Sequence, residues 1–193
     1  MRARAIYQGN SWRPKGGPAD VDEAHRLLLQ ALELDAEFAP AYAAAAQTFS
    51  VRKANHWVLD RDREVAEADR FARAVGRFGA DDPAALCVAG SALAHVVRDV
   101  DAGSSYTDRA LTLAPNLAIA NLYGALVCLW RGDSELAITR LKRAIRLSPL
   151  DPMLFAMHDT MAQAHFAARR YAEAVLWAEA SLAEQPNDSI ATF

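Results

Sequence analysis

Leu136-Ala137-Ile138-Thr139-Arg140-Leu141-Lys142-Arg143-Ala144-Ile145-Arg146-Leu147-Ser148-Pro149 sets two alanines seven residues apart, with a turn residue five beyond the second. Seven residues make two helical turns, so Ala137 and Ala144 share one face, where small side chains let a neighbouring helix approach closely. Pro149 cannot continue the helix. The arrangement recurs: Ala24 and Ala31 precede Asp35, and Ala174 and Ser181 precede Pro186. Ala110 keeps the second half before Pro115-Asn116, and residues 66–75 form a looser copy. Prolines 115, 149 and 186 fall 34 and then 37 residues apart, a period that belongs to stacked helix pairs.

Between these segments the pattern predicts partner helices over 40–51, 83–97, 118–131 and 151–169. Leu122, Ala125, Leu126 and Leu129 repeat at helical spacing. Gly132 is placed to close a helix in the left-handed conformation. The expected fold is all-α: a right-handed solenoid of antiparallel helix pairs, one array of about five units at 1–38, 39–82, 83–117, 118–151 and 152–193. Composition agrees with helices. Alanine supplies 42 of the 193 residues, against 9 glycines and 8 prolines.

The net charge of −3 gives no basic footprint for nucleic acid. Cys87 and Cys128 stand without CxxC spacing, which points to two buried thiols in a reducing cytoplasm rather than to zinc or a disulfide. The N-terminus lacks the apolar core of a signal peptide. The uncharged stretch 110–130 is broken by Pro115-Asn116, so no membrane span is expected. Arginine outnumbers lysine 18 to 3, a hint of a bacterial, GC-rich gene.

The period near 34, the small residues seven apart and the closing prolines resemble the tetratricopeptide repeat (TPR). The copy from Ala118 to Asp151 matches best, with Gly132-Asp133, Ala137, Ala144 and Pro149 in place. Ala46, Gly90, Ala125 and Ala162 sit where the motif's first helix carries its small residue. Departures are an insertion at 52–63, Gly103 in place of alanine in the third copy and Ser181 in the fifth. Residues 144–152, 164–174 and 177–180 also look like the repeat region of bacterial adenylate/guanylate cyclase-type proteins, and similar repeats follow winged-helix domains in some regulators. Both resemblances imply a signalling or regulatory region joined to a separate output domain. The last residues read as the start of a further helix, as in a fragment of a longer protein.

The family's fold lines a concave surface with the first helix of each pair. On that basis the groove candidates are Gln47 and Ser50, then Cys87, Ser91, Ala94 and His95, then Ile119, Leu122, Leu126 and Leu129, and finally Asp159, Gln163 and Phe166. Such a mixture suits a peptide or protein partner. Lysine occurs only at 15, 53 and 142, none of them expected on the groove helices, which disfavours capture of a C-terminal carboxylate. His56 and Trp57, in the insertion, are candidates for a loop contact. Arg131, Arg140, Arg143 and Arg146 form a basic face, expected to be solvated. His158 and His165 are seven apart with no third ligand in view, so no metal is expected. No GxxxxGK[ST], GxGxxG or GxSxG is present. The reading is a non-enzymatic protein-binding scaffold without cofactor. A small-molecule sensor and a self-associating homodimer are the alternatives.

Overall fold

The structure, a computed structural model, describes residues 17–184. Residues 1–16 of the expected first unit and the helix start expected near Ser189 lie outside the described residues. Among the described residues nine α-helices follow one another: α1 (Pro18–Leu34), α2 (Ala39–Ala54), α3 (Arg61–Phe78), α4 (Pro83–Ala92), α5 (Val100–Leu113), α6 (Ala118–Arg131), α7 (Ser134–Leu147), α8 (Leu154–Ala167) and α9 (Tyr171–Glu184). A π-helical turn, Leu93–Val97, extends α4. No strand occurs among them.

Local chemistry sets the starts and stops. Asp60, Asp82, Asp99 and Asp133 each accept a backbone N–H at the head of α3, α4, α5 and α7, caps worth about 0.5–2 kcal/mol apiece. Gly132 ends α6 at φ 89°. Helix α2 runs on through Arg52 and Lys53 to Ala54, because good helix formers continue it until Asn55, whose side-chain Nδ2 donates to the Val51 carbonyl. The stretch 52–63, expected as a long loop, is therefore partly helical at both ends, and only residues 55–60 connect α2 to α3. Helix α8 begins at Leu154 rather than 151, because Asp151 turns the chain by accepting from the Met153 N–H.

Four antiparallel hairpins result: α2/α3, α4/α5, α6/α7 and α8/α9, with α1 packed on α2 ahead of them. First helices stack on first helices along α2, α4 and α6, and each second helix leans on the first helix of the next hairpin. The two kinds differ in sequence because they differ in exposure. Helix α2 is buried nearly all round, from Ala39 to Val51, hence its alanine run. Helix α7 buries one stripe, Ala137, Ile138, Leu141 and Ala144, and gives charge to the other side.

Gly103 has a structural reason. A Cβ there would lie 2.7 Å from the Gly90 carbonyl oxygen, and one at Gly90 would lie 2.8 Å from that of Gly103, so α4 and α5 touch backbone to backbone. Ser181 substitutes well for alanine: it is fully buried and its hydroxyl donates to the Phe155 carbonyl at 2.9 Å.

Arginines tie the units together. Arg73 bonds Asp99, Arg109 bonds Asp81, Arg140 bonds Asp108 and Arg170 bonds Glu135. Exposed pairs of this kind contribute about 0–1 kcal/mol each, so they serve register more than stability. Of the face expected to be merely basic and solvated, Arg140 also donates to the Gly124 carbonyl, Arg143 donates to Asn116, and Arg131 stands 3.4 Å from Asp133. Those three are engaged.

Candidate functional site

Counted from the small residues Ala46, Gly90, Ala125 and Ala162, corresponding positions fall into rows across the four first helices. One row is Gln47, Ser91, Leu126 and Gln163, and the next turn supplies Ser50, Ala94, Leu129 and Phe166. Along both rows exposure rises from start to end. Gln47, Ser91, Ser50 and Ala94 are buried, Leu126 and Leu129 are less so, and Gln163 and Phe166 are exposed, Phe166 by 65%. Cys87, Leu122 and Asp159 are buried as well. The inner face is sealed over α2 and α4 and opens between α6 and α8.

Two features cause the difference. The Gln47 amide Nε2 donates to the Tyr123 hydroxyl at 2.6 Å, linking α2 to α6 across α4 with both side chains buried. Burial holds the Tyr123 phenol well above its ordinary pKa, so it stays neutral and able to accept. Between α6 and α8 contact is slight, and the core divides there: one hydrophobic cluster runs from Leu28 to Tyr123, a second from Leu122 to Ala164. Of the expected groove residues, Gln47, Ser91, Leu122 and Asp159 are thus closed off by packing, and Leu126, Gln163 and His95 remain partly accessible.

His95 lies in the π-helical turn, which ends at Arg98 in the left-handed conformation, φ 71°. Its ring stacks on Trp130 at 5.0 Å and 10°. Burial, with Lys53 and Arg98 nearby, pulls the imidazole down to a pKa of about 4 and keeps it neutral. Lys53, on α2 after all, donates to the His95 carbonyl. The expectation that no lysine stands on a first helix is corrected: the helix does not stop at 51. His95 Nδ1, Ser91 Oγ and Ser50 Oγ are buried without a hydrogen-bond partner. Ser91 and His95 therefore do not bond each other, and no base activates that hydroxyl. Cys87 is fully buried, with its thiol pushed up to about 12 by desolvation.

The loop candidates separate. His56 is exposed at φ 59°, whereas Trp57 is half-buried and its backbone N–H donates to the Arg52 carbonyl. Behind them Arg52 bonds both Asp22 and Glu64, and Glu64 accepts from the Leu59 N–H at 3.1 Å, pinning the loop. A cleft of about 460 Å³ opens beside this group, between α1 and the start of α3. Several of its charges pair within it, Arg52 with Asp22 and Glu64, and Arg70 with Glu67. His158 packs on Trp177 at 5.3 Å and His165 is buried. Among the described residues no three His, Cys, Asp or Glu side chains gather as metal ligands, and no helix is long and apolar enough to cross a membrane.

Sequence reasoning missed Tyr123, Trp130 and Lys53. Trp130 alone was findable, one row-position on from His95. Tyr123 bonds a residue 76 positions away, a relation no local pattern carries.

No protein-family model matches the chain and no curated protein matches it. Solved structures do. A chain of the APC/C hetero-tetramer Cut9–Hcn1 matches at a TM-score of 0.70 and 16% identity over 90% of this chain, which spans 32% of that one. TTC0263, a thermophilic TPR protein of Thermus thermophilus, matches at 0.70 and 18% identity, covering 90% of this chain and 88% of that one. YrrB, a TPR protein with an unusual peptide-binding site, matches at 0.57 and 18%, covering 99% and 91%. At such identities the likeness concerns the fold, and the fold is the TPR solenoid.

Proposed function

We propose that the chain is a non-enzymatic protein-interaction module that takes a peptide or helical segment of a protein partner on the open half of its inner face. One observation carries the reading: accessible side chains collect where α6 and α8 part. Leu126, Leu129 and Trp130 supply apolar area there, Phe166 an exposed aromatic, and Gln163 a polar group at the rim. An apolar strip with a few oriented polar groups is what a peptide laid along a groove requires. Gln163 is held ready, its amide donating to Asp159 at 2.7 Å. Two free, buried thiols suit a reducing cytoplasm. The sequence resemblance to bacterial regulators supports a place as the regulatory region of a larger signalling protein.

The test is affinity capture with wild type, Gln163→Arg and Leu126→Arg, each checked by thermal melting for an intact fold. Loss of the same specific partners in both variants is the expected result. Retention of every partner by both defeats the groove assignment.

A second reading, a small-molecule sensor, draws on the partnerless atoms of Ser50, Ser91 and His95. Buried polar groups left unpaired cost about 1–3 kcal/mol each, a cost that a ligand bonded to them would offset. A metabolite at 100 times its dissociation constant would add about 2.7 kcal/mol. A thermal-shift panel without such a hit removes this reading.

A further inference from the structure

From α3 onward the second helices are tied directly to one another by arginines, Arg73 of α3 to Asp99 at the head of α5, and Arg140 of α7 to Asp108 of α5. Between α1 and α3 the described residues form no such direct tie. Arg52, from the last turn of α2, stands between them instead and bonds Asp22 of α1 and Glu64 of α3. The two helices stay apart around it, and the gap is the cleft of about 460 Å³, a size that holds a small ligand. Buried Phe49 lines it together with the more exposed Leu29 and Leu59. The cleft lies on the far side of α2 from Gln47, because Phe49 and Arg52 stand about 200° and 140° from that residue around the helix.

The lining of the cleft is short of donors. Two carboxylates share one guanidinium, so Asp22, Arg52 and Glu64 together keep one negative charge. Glu64 is 7% exposed; its Oε1 accepts from Arg52 and from the Leu59 N–H, and its buried Oε2 has no partner. A carboxylate oxygen left that way is costly. His25 is short of a donor too. Thr48 gives its hydroxyl proton to the Ala45 carbonyl at 2.7 Å, so at its 2.9 Å contact with His25 it accepts, and the ring proton sits on Nδ1. Nε2 is left as an acceptor, bonded to no donor among the described residues. Burial, and Arg52 after it, pull the imidazole below its ordinary pKa and keep it neutral. The remaining charges balance: Arg70 pairs with Glu67, Arg26 with Glu23, and exposed Arg63 and Asp60 add one of each sign. One positive charge carrying several N–H donors is what this lining lacks, and a primary ammonium supplies it.

We infer that the cleft between α1 and α3 binds a primary alkylammonium group, with Glu64 taking the charge, His25 a second N–H, and Phe49, Leu29 and Leu59 the aliphatic chain. The group can arrive on a free amine or on a lysine side chain of a partner, and the probes separate the two. The test is titration calorimetry of the full chain with n-hexylamine and with the capped peptide acetyl-Gly-Lys-Gly-amide, each up to roughly 10 mM. Saturable one-to-one binding of at least one of them is expected. Hexyltrimethylammonium, which keeps the charge and has no N–H, should bind at least about tenfold more weakly, and hexanoate should not bind. Glu64→Gln should weaken binding by about tenfold or more. Because Glu64 also pins the loop, Leu29→Trp serves as a second variant: the position is 38% exposed, so the circular dichroism melt should hold while the indole fills the cleft and abolishes binding. Binding of hexylamine alone assigns the site to a free amine, and binding of the peptide assigns it to a partner's lysine. Leu126→Arg, on the inner face, should leave amine binding intact, so this site and the groove stand or fall separately. Failure of both probes overturns the inference, as does equal binding of hexyltrimethylammonium or undiminished binding to Leu29→Trp.

Discussion

The bond from Gln47 to Tyr123 seals half of the inner face, and its removal is calculable. Tyr123→Phe deletes the acceptor while leaving the Gln47 amide, 4% exposed, in its buried place. A buried donor without a partner costs about 1–3 kcal/mol, so the variant should lose that much stability. Gln47→Leu removes the donor that reaches the Tyr123 hydroxyl, 3% exposed, and should also destabilise. The double variant leaves no unpartnered Gln47 amide and should lose clearly less than the two single losses summed, a coupling of about 0.5–3 kcal/mol. Urea unfolding reads these values: with a slope of about 1–3 kcal/mol per molar for small proteins, a loss of about 2 kcal/mol moves the midpoint by roughly 1 M. Hydrogen exchange adds a local readout, with faster exchange in α4, the helix the bond spans. Additive single effects, or losses below about 0.5 kcal/mol, would show that the amide is solvated and that the inner face stands open at α2 and α4, refuting the account of the site.

Other outcomes follow from the same packing. Gly90→Ala drives a methyl to 2.8 Å from a backbone oxygen and should destabilise by about 1–2 kcal/mol net of its gain in helix propensity. At Gly124 the nearest atom is the end of the Arg140 side chain, which can move, so Gly124→Ala should stay within about 0.5 kcal/mol of wild type; thermal melts compare the two. His95 has a pKa of about 4 when folded against 6.5 when unfolded, so below 6.5 the unfolded chain binds more protons and stability falls with falling pH. The loss should reach at most about 2 kcal/mol by about pH 5, and His95→Gln should flatten a melting curve taken from about pH 7 to 5. Cys87 and Cys128, 0% and 2% exposed, should resist a thiol reagent at mildly alkaline pH in the native state and react fully in denaturant.

Much of the architecture is legible locally. Ala137 and Ala144 two turns apart, Asp133 as a cap and Gly132 as a stop are statements about neighbours in the chain, and helix geometry carries them directly into space. The extent of α2 was less legible, because Arg52 and Lys53 read equally well as loop or helix until the Asn55 side chain closes the end. The groove was read by register, and register does order its rows. It does not say how far successive first helices lean together, so Gln47, Ser91 and Leu122 look like groove residues in sequence and are core residues in space.

Periodicity and turn chemistry alone thus decide that this chain forms stacked helix pairs, because a helix face repeats every few residues and a cap acts across three or four. The sealed and open halves of the inner face and the neutral His95 against Trp130 are decided only on assembly. Each depends on side chains tens of residues apart meeting and excluding water, and the strength of such contacts is set by packing that no single helix contains.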